Sequence, residues 1–264
     1  MKQISHFTLS LLAVLLLIAT DIQAKTLVER KTTTYSLKNF NALRISGIVK
    51  LYFTQSNSYS ITVEESPTPD LVTVVGKKGG TLVVQTKSKM KSMTNVVSPI
   101  VHIKAPKLSD IHTSGAVTVV LSNLSAENLT VVTSGASKLF LKDVKCNSMQ
   151  MNTSGASDMT TGTVRCKQLK LGGSGASKLN MTIADNDAAV LLFSGASKGV
   201  ISYKGNSLEL KSSGAGKINL TVDCKKLKAV NSGAAKVTVS GTADDTTINS
   251  SGVSKINTSK LNQY

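Results

Sequence analysis

The chain has 264 residues, with 31 Lys and Arg against 15 Asp and Glu, and a net charge of +16. That balance favours contact with polyanions such as acidic glycans, lipopolysaccharide phosphates or anionic membrane. Five Tyr, five Phe and no Trp argue against a groove that stacks sugars or bases on exposed rings, so nucleic acid is not expected as a partner.

Residues 1–24 read as a signal peptide. Lys2 gives a basic start, Leu9 to Ala19 is apolar, and Ile22-Gln23-Ala24 offers a small-residue cleavage site. The apolar run falls short of the ~20 residues that span a bilayer. No cysteine follows to carry a lipid, and nothing later reads as a transmembrane helix. The expectation is export to the periplasm or the cell surface, or secretion.

Residues 25–106 read as β-rich but irregular. Alternation runs through Ala42–Ile45, Val49–Phe53, Tyr59–Val63 and Leu71–Val75. Gly76-Lys77-Lys78-Gly79-Gly80 predicts a hairpin-type turn into Thr81–Val84. Ser46-Gly47 is a degenerate first copy of the Ser-Gly-Ala motif that fills the rest of the chain. Lys87 to Ser98 reads as an exposed basic loop.

Residues 107–264 are organised by Ser-Gly-Ala or a near copy, starting at Ser114, Ser134, Ser154, Ser174, Ser194, Ser213, Ser232 and Ser251. The first four intervals are 20 residues and the last three are 19. Counted from each motif serine, the positions five and seven on are mostly apolar, as are those five and three before it. Repeats this short must stack to bury such a face. The expected fold is all-β, a parallel β-helix or solenoid of ~19–20-residue coils about 4.8 Å apart, preceded by the less regular N-terminal part. A propeller needs ~40–45 residues per blade and an alternate-repeat signature, which this array lacks. Gly115, Gly135, Gly155, Gly175, Gly195, Gly214, Gly233 and Gly252 are assigned to the turns.

Four residues past the serine stand Lys138, Lys178, Lys198, Lys217, Lys236 and Lys255, with Thr118 and Asp158 in the remaining coils. By parity they face solvent. They are a candidate docking stripe for an extended polyanion, an acidic glycan or envelope polymer. A charged column also keeps a β surface soluble and blocks edge pairing, so the plain reading stands beside it.

Cys146 and Cys166 lie one coil apart at one position. Two readings stay open: small buried hydrophobes, or a disulfide in an oxidising compartment. Three cysteines without a nearby histidine make no metal site, and no cofactor is expected. The acids Asp143, Asp158, Asp185 and Asp223 scatter over different columns, and Asp185/Asp187 and Asp244/Asp245 read as turn residues. His102 and His112 have no matching nucleophile, and the repeated serine has no base beside it. No catalytic residue is assigned. A lyase-like carbohydrate-active enzyme is the alternative from another class, and would require converging carboxylates.

The opening Phe40-Asn41-Ala42-Leu43-Arg44-Ile45-Ser46-Gly47, the Gly79-Gly80-Thr81-Leu82 pair, the Ala105-Pro106-Lys107-Leu108 lead-in and the Ser-Gly-Ala-Ser array together resemble the DUF2807 family, described as putative auto-transporter adhesin, head GIN domain. The likeness runs over residues 40–255, which it implies to be one continuous domain. It implies a right-handed β-helix whose Ser-Gly turns join two sheets, and a non-enzymatic part in adhesion at the bacterial envelope. No catalytic residues carry over. A bare last coil after Ser251 would invite association, so a homo-oligomer is also expected.

Overall fold

Residues that recur every 20 positions become neighbours when each coil lies on the one before, and this stacking governs the fold. The computed structural model describes residues 30–89 and 95–263. The proposed signal peptide and residues 90–94 of the basic loop lie outside them. The compact unit from Lys31 onward is all strand: β1 (Thr32–Tyr35), β2 (Ala42–Gln55), β3 (Ser60–Glu64), β4 (Leu71–Lys78), β5 (Thr81–Ser88), β6 (Ile100–Ala105), β7 (Asp110–Leu121), β8 (Leu124–Ser125), β9 (Asn128–Thr133), β10 (Lys138–Leu141), β11 (Val144–Thr153), β12 (Asp158–Gly173), β13 (Lys178–Phe193), β14 (Lys198–Ser212), β15 (Lys217–Asn231), β16 (Lys236–Ser250) and β17 (Lys255–Asn262).

The degenerate Ser46-Gly47 copy is a real member of the stack. β2 lies parallel to β7 with Ser46 opposite Ser114 and Gly47 opposite Gly115. β5 and β6 together make the coil on the far side of β2, pairing with its first and second halves. Beyond them the parallel pattern stops. β4 runs antiparallel to β5 through the Gly79-Gly80 turn, β3 antiparallel to β6, and β1 antiparallel to β3.

From β12 to β16 nearly a whole coil is one strand, each in parallel register with the next. The inward columns are uniformly buried: Val119, Leu139, Met159, Leu179, Ile218 and Val237 form one, and Leu129, Met149, Leu169, Leu208 and Leu227 another. Each such side chain contributes on the order of 1.5–3 kcal/mol. Outward residues between them are mostly polar, which is why period-two alternation is visible in the sequence.

The change from 20- to 19-residue coils occurs at one bend. Ile183 pairs with Tyr203, twenty residues on, but Asn186 pairs with Gly205, only nineteen on. The residue lost lies at Ala184–Asp185, where Asp185 adopts a φ of 51°. Inside the same bend, the Tyr203 hydroxyl lies 3.0 Å from Asn186 Oδ1 and 2.6 Å from the Ser207 carbonyl, and burial pushes its phenol pKa up. It has room because Gly205 has no side chain: a Cβ there would sit 2.7 Å from that hydroxyl.

At the Ser-Gly-Ala corner the glycines form a ladder. Gly175 has a φ of 75°, and a Cβ on it would lie 2.6 Å from the Gly155 carbonyl oxygen. The alanine N–H donates to the glycine carbonyl one coil back, as from Ala176 to Gly155 at 2.9 Å. The first corner has no earlier glycine, and the Thr86 hydroxyl replaces it by accepting from Ile48 N at 2.8 Å. In four corners a second serine, Ser137, Ser157, Ser177 or Ser197, turns inward: Ser157 donates to the Ser154 carbonyl and accepts from Thr133, one coil back.

Candidate functional site

The lysine column lies where the strands are straight, so equal spacing in sequence becomes contact in space. Lys178 is in register with Lys198, Lys198 with Lys217, Lys217 with Lys236, and Lys236 with Lys255. Asp158 separates this run from Lys138. All six lysines are exposed. At the ~4.8 Å strand spacing the run of five covers roughly 19 Å.

Like charges directly opposite on neighbouring strands are unfavourable, by roughly 1 kcal/mol per pair at 4 Å in water before salt screens them. None of these lysines takes part in an ion pair among the described residues, whereas cations elsewhere do: Lys204 meets Asp223 at 2.8 Å, and Lys211 and Lys228 both meet Glu209, at 3.2 and 3.1 Å. Those partners hold the Asp223 and Glu209 carboxyls below the usual range. The positive charge of the column therefore faces outward without an internal counterion.

The column borders a shallow groove of about 470 Å³ that reaches from Lys138 to Lys217, with Phe140, Thr160, Asn180, Val200 and Asn219 along its other side. This second row was not singled out in the sequence. Its signal was present, six residues past each motif serine, but mixed chemistry hid it.

A second groove, about 570 Å³, follows the corner serines past Asn152, Gly172, Leu192 and Val230. Two of its corner serines are occupied structurally: Ser154 and Ser174 donate to the carbonyls of Thr133 and Thr153. The assigned turn glycines all have positive φ, between 72° and 96°, as this ladder requires.

The acids are less scattered than column counting implies. Asp185, Asp187, Asp223 and Asp244 line one groove of about 540 Å³ with Lys204 and Lys225. The missing residue at the bend shifts their sequence offsets by one and hides that Asp185 and Asp223 share one column of this groove and Asp187 and Asp244 another. Asp185 is tied to Arg165 at 3.3 Å, and no three His, Cys, Asp or Glu among the described residues are placed to hold a metal ion. His102 is engaged by Glu64 at 3.2 Å and stacks on Tyr52 with ring centroids 5.1 Å apart.

Cys146 and Cys166 are direct register partners, buried, with both thiols free. In-register parallel strands point both Cβ bonds the same way, so the Cβ atoms stay about as far apart as the strands, ~4.8 Å, beyond the ~3.5–4.5 Å of a disulfide. Hydrogen bonding to Cys146 and burial push the Cys166 thiol up. Cys224, three coils further along the column, is pushed up to about 11, chiefly by burial.

No described helix is long and apolar enough to cross a membrane. Comparison with curated protein sequences gives no match. Several solved structures share the fold. A putative adhesin from Bacteroides fragilis has 20% identity and a TM-score of 0.58, over 86% of this chain and 95% of that one. A putative lipid binding protein from Parabacteroides distasonis has 19% identity and a TM-score of 0.65, over 87% and 96%. A putative adhesin from the same organism has 17% identity and a TM-score of 0.66, over 86% and 96%. The sequence model of one family matches residues 39–198 and 188–263, and by this match across the stack the chain belongs to the DUF2807 family, described as putative auto-transporter adhesin, head GIN domain.

Proposed function

We propose that this chain is an exported, non-enzymatic interaction module of the bacterial cell envelope, an adhesin-like rod that holds polyanionic surface polymers along its lysine column. The observation that carries this reading is the in-register run Lys178, Lys198, Lys217, Lys236 and Lys255 without a carboxylate partner. Similar structures named as adhesins support an adhesive role. The one named as a putative lipid binding protein is compatible with an anionic envelope component. A lyase-like activity is served less well, because Asp185 and Asp223 at the acidic groove are each held by a cation of their own.

The test is binding of the purified chain to immobilised lipopolysaccharide and acidic glycans at low and at physiological salt. The variant K178Q/K198Q/K217Q/K236Q changes only exposed side chains and relieves their mutual repulsion, so it should melt no lower than wild type. It should bind at least about tenfold more weakly at low salt, and added salt should erase most of the difference. Unchanged binding would remove the lysine column from the function.

A further inference from the structure

The lysine column has a neighbour of different chemistry at the same pitch. Six residues past each motif serine, Thr160, Asn180, Val200, Asn219 and Thr238 stack in register on the same outward face. Val200 is 56% exposed, among the most exposed large hydrophobic residues, and its register neighbours on both sides are asparagines. Two positions further on, Thr182, Ser202, Thr221 and Ser240 make a hydroxyl row. The face thus carries a line of cations, a line of amides interrupted by one apolar side chain, and a line of hydroxyls, all parallel to the axis of the stack.

A ligand that satisfies all three lines needs a negative charge on one edge, hydroxyls on the other and an apolar C–H surface between them. It must also repeat at about the coil spacing of ~4.8 Å. A phosphate polymer offers charge without the hydroxyl edge. A nucleic acid needs rings to stack on, and Phe140 is the one aromatic residue bordering this groove. A sugar ring bearing a carboxylate has all three features.

We infer that the face binds a linear polysaccharide of the uronic-acid class lying along the solenoid axis, its carboxylates on Lys178, Lys198 and Lys217 and its hydroxyls on Asn180 and Asn219. This rests on the lysine-column reading and names its ligand. The lysines attract the polymer and the exposed amides discriminate it, since only a ligand with hydroxyls along that row can exchange their bonds to water for bonds to itself.

The test measures binding of the full chain to polygalacturonate, to inorganic polyphosphate and to neutral dextran at one salt concentration. Wild type should bind polygalacturonate more tightly than polyphosphate and should not bind dextran. N180A/N219A keeps every lysine; it should weaken polygalacturonate binding by about fivefold to tenfold, the loss of two such hydrogen bonds, and leave polyphosphate binding unchanged. Polyphosphate bound as tightly as polygalacturonate, or an N180A/N219A variant that treats both polymers as wild type does, would overturn the sugar assignment. If K178Q/K198Q/K217Q/K236Q binds both polymers as wild type does, the lysine column itself is at fault.

Discussion

The Ser212 hydroxyl is buried without a partner because the residue it faces one coil on, Ala235, carries no hydroxyl. Earlier in the stack Thr113, Thr133 and Thr153 each donate to a second-corner serine: Ser137, Ser157 and Ser177. Further along, Phe193 and Gly216 give up both halves of the pair together. Ser212 keeps one half alone. Restoring the acceptor with Ala235→Ser should add about 1 kcal/mol, or roughly 2–4 °C in melting temperature for a chain of this size. A thermal melt checks it, and a lower midpoint would count against the pairing.

Gly175→Val should be severely destabilising. The backbone term alone costs about 1–2 kcal/mol at positive φ, and the new Cβ also meets the Gly155 carbonyl. Gly76→Val is the control, since a Cβ there has nothing within 4 Å and its φ is not in the left-handed region. Soluble yield and melting temperature should drop for the first variant and hold for the second. Equal behaviour would mean the corner tolerates side chains.

Thr86 acts as the first rung of the corner ladder. Thr86→Val keeps the shape and removes the acceptor of the Ile48 N–H, which should cost about 1–3 kcal/mol. Thr86→Ser should recover most of that. Urea unfolding of the two variants separates the hydrogen bond from the packing, and a Thr86→Val variant as stable as wild type would remove that hydrogen bond from the account of the corner.

Glu209 gives the stack a dependence on acid. Its folded-state pKa lies below the ordinary 4.5, because Lys228 and Lys211 donate to it. A depressed carboxylate stabilises the fold above its unfolded-state value and loses that contribution as pH falls through the folded-state value. Glu209→Gln should therefore cost up to about 1 kcal/mol at pH 7, as befits surface ion pairs. The gap to wild type should narrow below pH 4.5 and close once Glu209 is protonated in the fold. A gap that persists in strong acid would point to packing instead of charge.

The solenoid was legible because its register is written into the chain: wherever strands are straight, residues 19 or 20 apart become neighbours. Lys178 and Lys198, or Leu179 and Ile218, could be placed without coordinates. The N-terminal end could not, since Gly47 meets Gly115 across 68 residues and no period announces the antiparallel pairing of β1, β3 and β4. The acidic groove was hidden by the residue lost near Asp185, which put Asp185 and Asp223 in different columns on paper. The Asn180–Val200–Asn219 row lacked a repeated residue type. Spacing placed Cys146 beside Cys166, but whether the thiols join depends on Cβ direction, which spacing does not carry.

The antiparallel strands at one end also set an order of assembly. From β9 onward each coil hydrogen-bonds to the coil that precedes it in the chain, so its template is complete before it is made. Such a chain can fold from its N-terminal side one coil at a time, each step closing a loop of only about 20 residues, for which the entropy of closure grows slowly with length. A chain emerging N-terminus first would meet a finished surface at every step after the first two coils, and would never have to search the whole molecule for a partner.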